Sequence, residues 1–270
     1  MNKKTVTQFL LWTFALVLVA SAGEYIIART WGGIFAVDES SEYSFSAYAV
    51  FGIIAATIGA LTPAIASYIV LKKNGNISGL KEWLKNVFYV KSSIFHYAFV
   101  VLWLALYFVI HISISGLTQM MPLYMFFLFL PLTLLAGGME EAGWSYILQP
   151  ELNKKYSFFV SSVITGVIWW AWHIPLFFIP GTSHYEIMSI WMFLVACIGM
   201  RFFYGAILKI SGKAGIFLSV LKHTLYNALA MTFVFMPTTW TATIVALIIM
   251  FFVSVIPVII YNKKMQVCTK

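Results

Sequence analysis

Eight stretches of this chain, at 7–28, 47–71, 94–112, 122–138, 158–178, 186–208, 214–235 and 240–261, are apolar and long enough to cross a bilayer. A soluble core cannot hide them all: 61% of the 270 residues are hydrophobic, against about 45–50% in an ordinary domain. Only 10% are charged. Hydrocarbon offers the backbone no water, so each run must be a helix. The chain is therefore expected to be an all-α integral membrane protein, a bundle of about eight transmembrane helices, with 1–270 forming a single transmembrane domain. Soluble enzymes, secreted disulfide scaffolds and disordered chains are excluded. Cys197 and Cys268 are too few and too far apart for a disulfide framework and read as free thiols.

The lysines orient the bundle. Lys3 and Lys4 precede the first run. Lys72, Lys73, Lys81, Lys85 and Lys91 follow the second, and Lys154 and Lys155 the fourth. Lys209 and Lys213 follow the sixth, and Lys263, Lys264 and Lys270 the eighth. The alternate connections carry Asp38, Glu39, Glu42 and Glu186, with Arg29 nearby. Positive residues remain inside, which puts both termini in the cytoplasm and the protein, multi-pass, in a cell membrane, bacterial by this reading. The net charge of +8 then reports topology. No basic stripe interleaved with exposed aromatics suggests nucleic acid. Segment 75–93 places Leu80, Trp83, Leu84 and Val87 at helical spacing among lysines, as in a helix lying along the inner surface. Lys3-Lys4, an apolar run and Ala20-Ser21-Ala22 have the shape of a signal peptide; seven further runs favour an uncleaved first helix.

Ionisable side chains inside such runs are costly and mark functional sites by default. The fourth run ends on Glu140 and Glu141, the fifth carries His173, the sixth Arg201, and the seventh Lys222, His223 and Asn227. Glu24, His96 and His111 are expected near the headgroups, where they need no function. Adjacent helical residues point about 100° apart, so Glu140 and Glu141 cannot face one spot. One is expected to line a cavity while the other takes a cation, unless both emerge as an interfacial pair. Pro175 frees the carbonyl of Ala171 and kinks the helix beside His173. His223 and Asn227, four residues apart, share one helix face. Together these residues cover a general base, its orienter and oxyanion donors for attack of water on a peptide carbonyl. Each taken alone has a structural reading, as an interhelical hydrogen bond or part of an aromatic belt.

Glu140-Glu141-Ala142-Gly143-Trp144-Ser145, Trp169 with His173 four residues on, and His223-Thr224-Leu225-Tyr226-Asn227 together resemble the CPBP, or Abi, family. This is the group of CAAX prenyl proteases and bacteriocin-processing or bacteriocin-immunity proteins. Its pattern is Glu-Glu-x-x-x-Arg, Phe-x-x-x-His and His-x-x-x-Asn on successive membrane helices. The resemblance covers the segment 122–235. It implies an eight-helix intramembrane endopeptidase in which Glu140 and His173 activate water, His223 and Asn227 hold the oxyanion, and Glu141 supports the site. Two positions depart. Trp169 replaces Phe and is expected to matter little, as another aromatic wall. Ser145 stands where the family has Arg, so Arg201 or Lys222 is expected to compensate the spare carboxylate from another helix.

Two mechanisms fit. A zinc ion held by Glu140, His173 and His223 could activate water, as in metalloproteases. Alternatively Glu140 deprotonates water directly, the reading favoured because the partner of His223 is an asparagine. The expected substrate is a membrane-associated peptide or a lipidated protein. A catalytically inactive scaffold or bacteriocin self-immunity protein of the same fold is the alternative, and a proton-coupled transporter is a third reading. Counted from Asn153, Glu140 and His173 would differ in depth by roughly 10 Å on straight helices, a gap that tilt, a kink or an early helix start must close.

Overall fold

The computed structural model describes residues 1–31, 47–116, 121–233 and 239–268. Asp38, Glu39, Glu42, Lys270 and the side chain of Cys268 lie outside the described residues. The helices are α1 (Lys3–Trp31), α2 (Ala47–Ala60), α3 (Thr62–Lys73), α4 (Leu80–Val87), α5 (Ile94–Ser115) and α6 (Tyr124–Leu135). Then come the short α7 (Glu141–Gly143) and α8 (Gln149–Asn153), α9 (Phe158–His173), α10 (Ser183–Glu186), α11 (Ile190–Ser211), α12 (Gly215–Thr232) and α13 (Trp240–Cys268). Among the described residues there is no strand. The protein is an all-helical, multi-pass membrane protein.

By length and apolarity six helical stretches qualify as spans, and seven when α2 and α3, bent by 41°, are counted as one. The longest, Ile190–Thr232, has 43 residues. Straight, it would be about 65 Å long, twice the hydrocarbon core. It is not straight. Arg201 and His223 both touch Glu141, although they would stand about 33 Å apart on one continuous helix. The chain reverses at Gly212, whose φ of 57° suits glycine and few other residues. Thus α11 and α12 form a hairpin, and counting its two arms separately gives up to eight candidate crossings among the described residues.

Proline explains the bends. Pro63 has no N–H for the carbonyl of Gly59, and the hydroxyl of Thr62 donates to it instead at 2.8 Å. Pro150 likewise leaves the carbonyl of Tyr146 without its usual donor. The preceding turn widens into a π-helix over Trp144–Leu148, closed by the N–H of Gln149 on the carbonyl of Trp144. Beyond His173 the chain tightens into a 3-10 turn, Ile174–Phe178, in which the N–H of Ile174 takes the carbonyl of Ala171.

The connections fall on two faces. On one, the N–H of Asn2 meets Glu151 at 2.6 Å, the amide of Asn74 reaches Gln8 at 3.0 Å, and Lys213 lies over the ring of Tyr89 at 4.7 Å. On the other, the N–H of Met121 bonds the carbonyl of Thr232 at 2.8 Å, and Ser115 meets Thr239 at 2.8 Å. The first face is the lysine-rich one. There α4 buries Trp83 and Val87, and the indole N–H of Trp83 donates to Ser67 at 3.0 Å. The surface helix is therefore docked on the bundle. Glu24 and His111, near the ends of their helices, are each 1% exposed and so covered by neighbouring helices. Glu24 packs where α1 meets Gly59 of α2.

Candidate active site

The two glutamates lie where the fourth span breaks. After α6 the chain is extended at Gly137, makes one 3-10 turn, Gly138–Glu140, and resumes as α7. Gly137 and Gly138 let α12 come close, because a side chain at either would collide with Asn227 or Thr224. Both glutamates are buried in the bundle, which removes the interfacial alternative.

They face different partners. Glu141 is clamped: Arg201 of α11 donates Nη1 to Oε2 at 2.9 Å and Nη2 to Oε1 at 2.8 Å. The hydroxyl of Ser145 donates to Oε2 as well. Nδ1 of His223 lies 3.2 Å from Oε1. Paired forks of this kind hold a carboxylate strongly and in one orientation. Glu140 instead accepts a hydrogen bond from the indole N–H of Trp169 at 2.8 Å. The buried indole of Trp144 is the second hydrogen-bonding neighbour of this carboxyl, and no cation is bonded to it among the described residues.

Trp169 is the hub. The Arg201 guanidinium lies 4.6 Å from its ring, and His173 and His223 stand 5.2 and 5.6 Å from it, centroid to centroid. The expectation that this position matters little is overturned, since a phenylalanine could not donate to Glu140. The depth gap closes here too. α9 starts at Phe158, so Trp169 is about 17 Å along it, level with Glu140 at about 20 Å back from Asn153. His173 lies one turn deeper and touches neither glutamate.

The hydrogen bonds fix the imidazoles. Nδ1 of His173 meets the carbonyl of Trp169 at 2.8 Å. A carbonyl only accepts, so Nδ1 carries the proton and Nε2 has a free lone pair. Nδ1 of His223 faces a carboxylate in the same sense, so this ring donates through Nε2 only when doubly protonated. Asn227 is half-buried one turn along, with Nδ2 3.5 Å from the carbonyl of Ala136, a long and weak contact.

Of the two proposed compensating cations, Arg201 makes the ion pair and Lys222 does not. Lys222 is sealed in an aromatic box, with Nζ 4.5 Å from the centroid of Trp103 and 4.7 Å from those of Tyr204 and Tyr226. Its partner is the hydroxyl of Tyr204, at 3.3 Å. The sequence also hid His184 of α10, whose ring stacks on His173 with centroids 5.6 Å apart. No spacing rule links those two residues across a loop.

The suggested zinc set is not assembled. Among the described residues no three His, Cys, Asp or Glu side chains converge closely enough to hold a metal ion. His223 is turned to Glu141 and Glu140 to Trp169, so the donors Glu140, His173 and His223 do not fit a shared ion in this arrangement.

The centre thus brings together one carboxylate bonded to neutral indoles, a second paired with an arginine, and two imidazoles. Residues 122–229 match the family described as type II CAAX prenyl endopeptidase Rce1-like. The chain is also 30% identical over 144 residues to CAAX prenyl protease 2 of Methanococcus maripaludis. That match covers 50% of this chain and 49% of the relative, so the chain spans about half the length of the protein it matches.

Proposed function

We propose that the protein is a CAAX-type intramembrane endopeptidase, cleaving a peptide bond in a membrane-associated peptide or lipidated protein. The lysine-rich face is its cytoplasmic side by the positive-inside rule. One observation carries the reading: the two adjacent glutamates are treated unequally. Glu141 is held by an arginine on both oxygens, whereas Glu140 meets only neutral indole donors. A carboxylate locked in an ion pair is a poor base, and one without a bonded cation can take a proton from water.

Glu140 then takes the proton of the attacking water. The free Nε2 of His173 orients that water and helps pass the proton to the leaving amine. The amide of Asn227, and His223 when its Nε2 gains a proton, supply donors to the developing oxyanion. Arg201 and Ser145 hold Glu141 in place for that task.

The test uses the full chain in nanodiscs with a farnesylated peptide ending in a free carboxylate, and cleavage read by mass spectrometry. Wild type is expected to cleave, and Glu140→Gln to slow cleavage by roughly 10²–10⁴-fold at unchanged melting temperature. Equal rates, or no cleavage by wild type of lipidated or leader peptides, overturn the proposal and leave a non-enzymatic scaffold of this fold. Stoichiometric metal that a chelator removes together with activity replaces the mechanism above with a metal-assisted one.

A further inference from the structure

A cavity that shares Ser145 with the glutamates' hydrogen-bonded centre opens on the lysine-rich face. It has a volume of about 530 Å³ and lies between the end of α8, the α11–α12 turn and α4. That size suits a small-molecule or headgroup site. Lys209 and Lys213 line it together with the amides of Asn86 and Asn153, and no acidic residue does. Neither lysine forms an ion pair among the described residues. Glu82, the acid whose field reaches Lys213, is engaged by the N–H and hydroxyl of Ser78 at 2.7 Å each. Leu208 and Ile216 supply apolar wall, and the fully buried Ser145 lines it too.

From these features we infer that the cavity binds the headgroup of an anionic phospholipid, with Lys209 and Lys213 on the phosphate. Three observations favour a lipid over a peptide terminus. The cavity lies where α11 ends on the lysine-rich face. It sits between membrane helices and beside the docked amphipathic α4, and basic interhelical pockets on this side of a membrane are where anionic headgroups bind. Its wall turns from ammonium and amide to aliphatic, as a phosphoglycerol leading into acyl chain requires. Ser145 also ties the cavity to the active-site clamp, since its hydroxyl bonds Glu141.

The experiment needs no protease activity. Full-length protein is released from nanodiscs of phosphatidylcholine with one-fifth phosphatidylglycerol, and retained lipid is counted by native mass spectrometry. Wild type is expected to retain phosphatidylglycerol at least tenfold above its bulk ratio. Lys209→Gln with Lys213→Gln should return that ratio to bulk, as should Ile216→Trp, which fills the cavity and keeps both lysines. Lys81→Gln with Lys85→Gln, on the same face, should leave it unchanged. Retention that survives both cavity variants, or falls equally with Lys81 and Lys85, overturns the inference. So does displacement of the lipid by a peptide with a free C-terminus but not by its amide, or equally tight binding of soluble glycerol 3-phosphate. Should the double lysine variant fail to fold, Ile216→Trp decides alone.

Discussion

Arg201 and Lys222 stand on adjoining helices of one hairpin, and both are sealed from solvent. They share the ring of Tyr204 but differ in their polar partners. Arg201 meets a carboxylate through a two-pronged ion pair and lies between the rings of Trp169 and Tyr204. Lys222 meets no carboxylate, and aromatic faces with one phenolic hydroxyl surround its ammonium. The first arrangement ties together three helices that carry the candidate chemistry. The second packs α12 against α5 and α11, away from the glutamates. A buried charge in a membrane span is thus a pointer to function only when its partner is another charge.

Substitutions can break or sharpen that contrast, measured by denaturation in mixed micelles. Arg201→Met should be the most damaging, at about 3–5 kcal/mol, because it leaves Glu141 as an uncompensated buried charge. Trp169→Phe should cost activity far more than stability. It removes the hydrogen bond to Glu140, a charged-group bond of about 1.5–3 kcal/mol, and a tenfold or larger fall in cleavage at a melting temperature close to wild type is expected. Ser145→Ala should be milder, since Arg201 and His223 still hold Glu141; a loss of about 1 kcal/mol is expected. Lys222→Met should fall within about 1 kcal/mol of wild type, because lost cation–π attraction of about 2 kcal/mol is offset by removing a charge that is costly to bury. A Lys222→Met variant as unstable as Arg201→Met would erase the distinction.

Much of this was legible beforehand where the cause is local. Apolar runs set the spans, Pro175 marks a bend, and adjacency forces Glu140 and Glu141 apart. The four-residue step from His223 to Asn227 puts both on one face. What sequence could not resolve depends on encounters across long separations. Arg201 and Lys222 looked equivalent as compensating cations, and only the register of the hairpin against α7 separates them. Trp169 looked like a tolerated swap because its N–H matters only once Glu140 is level with it. The stacking of His184 on His173 follows from how the loop after α9 folds back, which no local pattern encodes.

The hairpin turn at Gly212 also bears on biogenesis. Glu141 emerges from the ribosome 60 residues before Arg201, so during synthesis its carboxylate has no countercharge. Insertion of α11 and α12 as a preformed couple would deliver the guanidinium and His223 in one event, closing the core only at that late stage. A ribosome stalled just after α9 should accordingly hold a nascent chain that a membrane-embedded quality-control protease degrades readily, whereas one stalled after α12 should resist.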